Sequence, residues 1–83
     1  MADVKTADIV TGPGGVMTDE AGVVTGELEL ETSFADGQVA LRASYRDADE
    51  WYTVTGARTT LKDASGLDAV HAIAVALLNR PAG

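Results

Sequence analysis

The sequence predicts an α+β domain: a three-stranded antiparallel meander, with room for a fourth strand at the N-terminus, packed against one C-terminal helix. Three observations predict it. Polar and apolar residues alternate with period two from Val23 to Phe34 and again from Gln38 to Arg46. A run dense in β-formers, Trp51 to Thr55, follows them. The stretch Leu67 to Leu78 (LDAVHAIAVALL) is apolar except at Asp68 and His71, and Pro81 closes it.

In chain order, residues 1–22 read as a loosely attached arm and residues 23–83 as the βββα domain. Within the arm, Ala7 to Thr11 suits a short strand, which Gly12-Pro13-Gly14-Gly15 breaks. Val16 to Thr18 suits a second extended piece, closed by the turn Asp19 to Gly22. In the first long strand Val24, Leu28, Leu30, Thr32 and Phe34 share a face, and Glu27, Glu29, Glu31 and Ser33 share the other.

Ala35-Asp36-Gly37-Gln38 is a turn signal. If Phe34 stands opposite Val39, Glu31 meets Arg42 and Glu27 meets Arg46 across the hairpin. Each such pair is worth only a few tenths of a kcal/mol, up to about 1, but two from one register are agreement between independent cues. Asp47 to Glu50 forms the next turn. A four-residue loop there points Tyr52 and Val54 inward and Trp51, Thr53 and Thr55 outward, with Trp51 beside Arg46.

Ser65-Gly66-Leu67-Asp68 reads as a capping box with Ser65 as the cap. On the helix Leu67, Val70, His71, Ala74, Leu77 and Leu78 cluster on one side, expected to cover Leu28, Leu30, Leu41 and Tyr45. The other side carries Ala69, Ala72, Ala76 and Ile73 instead of charges. Alanine tolerates water, so this back could be bland; equally, small residues let a partner approach closely.

Composition excludes more than it assigns. The chain has 83 residues, no cysteine and one histidine. Disulfides, thiolate zinc sites and multi-histidine metal sites are therefore excluded. An 83-residue domain rich in alanine and valine builds a thin core, which favours sharing it with a second chain. Thirteen acids against six bases, a net charge of −7, argue against direct binding to nucleic acid or anionic membranes. No basic segment with a long apolar run opens the chain, and no apolar run is long enough to span a bilayer, so the cytoplasm is the expected location.

No catalytic signature and no cofactor motif appear. His71 has no acid or nucleophile held near it by sequence and reads as a boundary residue bonded to backbone or water. Asp47 to Glu50 lacks the ligands of a calcium loop, and Val10 to Gly15 lacks the Lys-Ser/Thr ending of a phosphate loop. The expected function is a non-enzymatic, acidic protein-interaction module: an adaptor, regulator or inhibitor, dimeric through its helix in one version. Its candidate contact residues are Trp51, Arg46, Arg42, Ala69, Ala72, Ile73 and Ala76. The alternative is a decoy in which Glu27, Glu29 and Glu31, about 6.6–6.8 Å apart along the strand, mimic a phosphate backbone. Element order alone carries no function.

Overall fold

The computed structural model describes residues 3–81. Six strands form one antiparallel sheet: β1 (Asp3–Val10), β2 (Val16–Thr18), β3 (Gly22–Val24), β4 (Glu27–Ala35), β5 (Gln38–Tyr45) and β6 (Tyr52–Thr60). They lie in the order β1-β4-β5-β6-β2-β3. One helix, α1 (Leu67–Leu78), follows a single 3₁₀ turn at Ala64–Gly66. The α+β class stands, but the three-stranded meander with an optional fourth strand does not. Residues 3–22, from the arm read as loosely attached, hold β1, β2 and the first residue of β3.

The β4–β5 hairpin has the register set by its charges. Phe34 pairs with Val39, Glu31 with Arg42 and Leu30 with Ala43. Asp36 and Gly37 both have positive φ (53° and 78°), the mark of a two-residue type I′ turn that matches the twist of the strands. The connecting loop is thus two residues, not four, because Ala35 and Gln38 still pair.

Ala7 to Thr11, read as a short strand, covers only the second half of β1, and the first half was hidden for a physical reason. Its pairing with β4 turns Asp3, Lys5, Ala7 and Ile9 toward the helix side, so only two of the four are apolar. An inward-pointing charge is a known device of edge strands. Here Lys5 uses it to reach Asp68 on α1. The stretch Val23 to Phe34 is not one strand. Thr25-Gly26 splits it, and Val24 pairs with Val16 in the β2–β3 hairpin.

The sheet curls. β1 and β3 end the strand order, yet Ile9, Val16 and Val24 share one core with Leu28, Leu30, Leu41, Ala43 and Val54. Backbone ties close the curl: Thr11 N donates to Gly26 O (3.0 Å), and Gly26 N donates to Thr11 Oγ1 (2.9 Å). Gly15, in the turn before β2, is wedged here with φ of 65°. A Cβ on it would come within 2.5 Å of the Val24 carbonyl.

β6 is bent. Arg42 pairs with Thr53 and Ala40 with Arg58, so Leu41 alone stands opposite residues 54–57. Asp63, not Ser65, caps the helical segment. Its carboxylate accepts from Ser65 N (2.9 Å) and from the Ser65 hydroxyl. The 3₁₀ turn moves the first unpaired amides one turn upstream of α1, which is why the box is displaced. These bonds, from the Ser65 hydroxyl first and its amide second, hold the Asp63 carboxyl below the usual carboxylate range.

Candidate functional site

The position of α1 creates the site. The helix packs over β1 and β4 rather than across the whole sheet. Four contacts hold it there. Lys5 pairs with Asp68. The Thr32 hydroxyl and His71 Nδ1 lie 2.9 Å apart, a hydrogen bond between the sheet and the middle of the helix. At the C-terminal end, Val10 N donates to Asn79 Oδ1 (2.9 Å), and Arg80 N donates to Val10 O (2.6 Å). His71 therefore bonds a side chain, not backbone or water as expected, and the bond serves docking.

Held toward β1, the helix rolls. Val75 joins Val70, Ala74 and Leu78 against the core, and Leu77 leaves it. Leu77 is 61% exposed, which corrects its expected place against the sheet. Ile73 is 62% exposed, on the side where it was expected. Ala69, Ala72 and Ala76 are exposed with it.

Between the rolled helix and the bent strand an apolar groove of about 360 Å³ opens. Leu41 of β5 and Val54 and Ala57 of β6 form its floor. Val70, Ala74 and Leu78 form the helix wall, and Ile73 and Leu77 stand at its lip. No polar side chain lines it. At Leu77 and Leu78 it adjoins a second hollow of about 330 Å³, bordered by Gly12 to Gly15 and Arg80. Of the expected contact residues only Ile73 borders the groove. Leu77, four residues on, is the partner that the helical repeat could have supplied.

Trp51, Arg42 and Arg46 sit elsewhere, on the outer face of the sheet. The cation over Trp51 is Arg42, with its guanidinium carbon 5.6 Å from the ring centroid, not Arg46. β5–β6 pairing joins Ala43 to Tyr52, two residues away from the register a four-residue loop would give. A shift of two keeps every side chain on its face but changes its neighbours. Arg46 instead binds Glu27 (Nη1 to Oε1, 2.9 Å) and donates through Nη2 to the Ile9 carbonyl (3.2 Å).

Glu31 is buried and held by Arg42 (Nε and Nη2 at 2.7 and 2.6 Å). Of the acidic row only Glu29 has no cation within ion-pair distance among the described residues. Three free charges at phosphate-like spacing, as a decoy needs, are not present on this face.

Charge is segregated between the two sides. On the helix side and in the segment leading into α1, Asp3, Asp63 and Asp68 stand against Lys5, Lys62 and Arg80, and Glu50 adds one acid where it accepts from the core-packed Tyr52 hydroxyl (2.8 Å). From Ala69 to Asn79 the helix carries no acid and no Lys or Arg. The acidic excess lies mostly in turns: Asp19, Glu20, Asp36, Asp47, Asp49 and Glu50.

Among the described residues no three His, Asp or Glu side chains converge as a metal-ligand set, and no helix is long and apolar enough to cross a membrane. Comparison with protein families, with curated proteins and with solved structures finds no match.

Proposed function

We propose that this chain is a non-enzymatic protein-interaction module whose working surface is the groove between α1 and the β5–β6 floor. One observation carries the reading. Two large aliphatic side chains, Ile73 and Leu77, stand mostly in water beside an open groove lined only by apolar groups. A small domain has few such residues to spare, and a contiguous apolar patch on its surface marks a binding site. Burying the exposed parts of both side chains against a partner stabilises a complex by roughly 2–4 kcal/mol. A second exposed pair, Met17 opposite Val23, lines neither of the two hollows and is the lesser candidate.

The chemistry of the remaining surface agrees. The one histidine bonds Thr32 at the helix–sheet contact rather than a carboxylate in a cleft. The acidic turns keep the molecule soluble and turn away nucleic acid without entering the groove. We assign the cytoplasm as its compartment from the cysteine-free composition, to be checked by fractionation of the native cell.

Selection from a random peptide library tests the reading. Wild type should enrich peptides rich in Leu, Ile and aromatic residues. Ile73→Asp and Leu77→Asp should each weaken their binding by about tenfold or more, and Trp51→Ala should leave it unchanged. Peptides that ignore both helix substitutions and depend on Trp51 or Arg42 would move the working surface to the outer face and end this proposal.

A further inference from the structure

We infer that the groove receives an extended segment of a partner protein, added as a strand along the open edge of β6 with its apolar side chains turned into the groove. The inference rests on the groove being the working surface and names what fills it. β2 flanks only the first half of β6. Thr18 pairs with Val54, Asp19 N donates to Thr53 O, and Glu20 accepts from Thr53 N. From Ala57 to Thr60 no strand pairs with β6 on that side among the described residues. Leu61 N donates to Gly37 O and Thr59 stands opposite Val39, so the odd-numbered residues of this stretch bond toward β5. The N–H and C=O groups of Arg58 and Thr60 therefore point to the open side. Ala57, where the open stretch begins, is also part of the groove floor. A strand laid beside it would carry every second side chain to the mouth of the groove, toward Ile73.

The two parts of this surface select the occupant. The edge offers main-chain donors and acceptors, and the groove beside it offers only apolar groups. An extended chain satisfies both at once, main chain to main chain and alternate side chains into the hollow. A helix keeps its main-chain bonds to itself and would leave the edge to water. Charge adds a third requirement. In a chain of 13 acids and 6 bases, Arg58 and Lys62 have no acid within ion-pair distance among the described residues. Arg58 stands opposite Ala40, on the outer face of the sheet. Side chains of the added strand that point away from the groove lie beside it, and acids are favoured there. The partner segment thus alternates apolar and acidic residues. The same cations oppose a second copy at this edge, because two β6 edges would set Arg58 and Lys62 of one chain against those of the other.

Titration with a synthetic peptide tests the inference. The probe alternates Ile with Glu over about nine residues, the length of a long strand, and is blocked at both ends. Wild type should bind it with a dissociation constant below about 1 mM by NMR. A peptide of the same composition with Ile at helical spacing should bind about tenfold more weakly. Thr60→Pro removes one edge N–H and leaves the ladder to β5 intact, so it should weaken the alternating peptide by about tenfold with an unchanged far-UV spectrum. Methylation of every second amide of the probe should abolish binding in one of its two phases and spare it in the other, since one edge of the added strand faces β6. Arg58→Glu should weaken binding severalfold and make it less sensitive to salt. An alternating peptide that does not bind overturns the inference, as does binding that neither methylated form weakens. If peptides selected from the random library still lose affinity with Ile73→Asp, only the strand is refuted. If none do, the interaction surface fails with it.

Discussion

The two faces of the sheet are finished differently. On the outer face the long polar side chains find partners: Glu31 with Arg42, Glu27 with Arg46, Glu20 with Thr53, Asp19 with Thr55. On the helix face the core is covered over β1 and β4 and left open over β5 and β6. On the first face the polar groups are spent on folding, and the exposed apolar residues Val4, Met17 and Val23 border neither the groove nor its adjoining hollow. The second has unburied Ile73 and Leu77, so its remaining free energy is available only to a partner. A face whose groups are mutually satisfied is a poor candidate site, whatever its residue types suggest.

The largest effects should come from beneath the helix. Leu30 is fully buried where β4 meets α1, and Leu30→Ala should cost about 3–4 kcal/mol by urea unfolding. For a domain of this size that is a large share of total stability. Next comes an asymmetry on the outer face. The Glu31 side chain is 10% exposed and that of Arg42 46%. Arg42→Ala leaves a carboxylate buried without its cation and should cost about 2–3 kcal/mol. Glu31→Ala frees a guanidinium that can turn into water and should cost nearer 1 kcal/mol. Glu31→Gln should rescue part of the Arg42→Ala loss. Equal losses from the two single substitutions would mean that Glu31 is less enclosed than its burial indicates.

These contrasts bear on what could be read from residue order. The β4–β5 register was legible because alternation, a turn dipeptide and two charge pairs all specify it within twenty residues. The extent of α1 was legible too, from an apolar stretch broken only at Asp68 and His71 and followed by proline, although its cap was not. β1 was legible only in its second half, from Ala7, because Asp3 and Lys5 stand where apolar residues would announce the first. The groove was not, because it depends on where the helix lies across the sheet. That placement is set by Lys5 with Asp68, Thr32 with His71 and Val10 with Asn79, contacts spanning most of the chain. No local period encodes them. The exposed alanine side of α1 was legible, yet which residues border a cavity required knowing the roll that frees Leu77.

A smaller effect separates folding from binding on the helix face. Ile73→Ser and Leu77→Ser remove apolar surface that the single chain leaves in water. Each should change stability by no more than about 0.5 kcal/mol by urea unfolding of a dilute sample. A loss of about 2 kcal/mol in the dilute sample would show that the helix lies closer to β5 and β6, with both side chains covered.

The smallest effect lies on the outer face, at the tie between the β2–β3 turn and β6. Glu20 accepts from Thr53 N (2.7 Å) and from the Thr53 hydroxyl (2.9 Å). The backbone bond first, and the hydroxyl second, hold its carboxyl below the usual glutamate range. A carboxylate favoured by folding stabilises the native state above its unfolded pKa and stops doing so as pH falls through the folded value. The tie should therefore be intact at neutral pH and release only on the acid side of an ordinary glutamate. Carbon-detected NMR titration of Glu20 checks this. Thr53→Val removes the hydroxyl and keeps the amide, so the midpoint should move part of the way toward the ordinary value. A complete return would show that the amide bond does not form in solution, and that β2 and β3 are held to the sheet by Val16 and Val24 in the core and by the backbone bond from Asp19 N to Thr53 O.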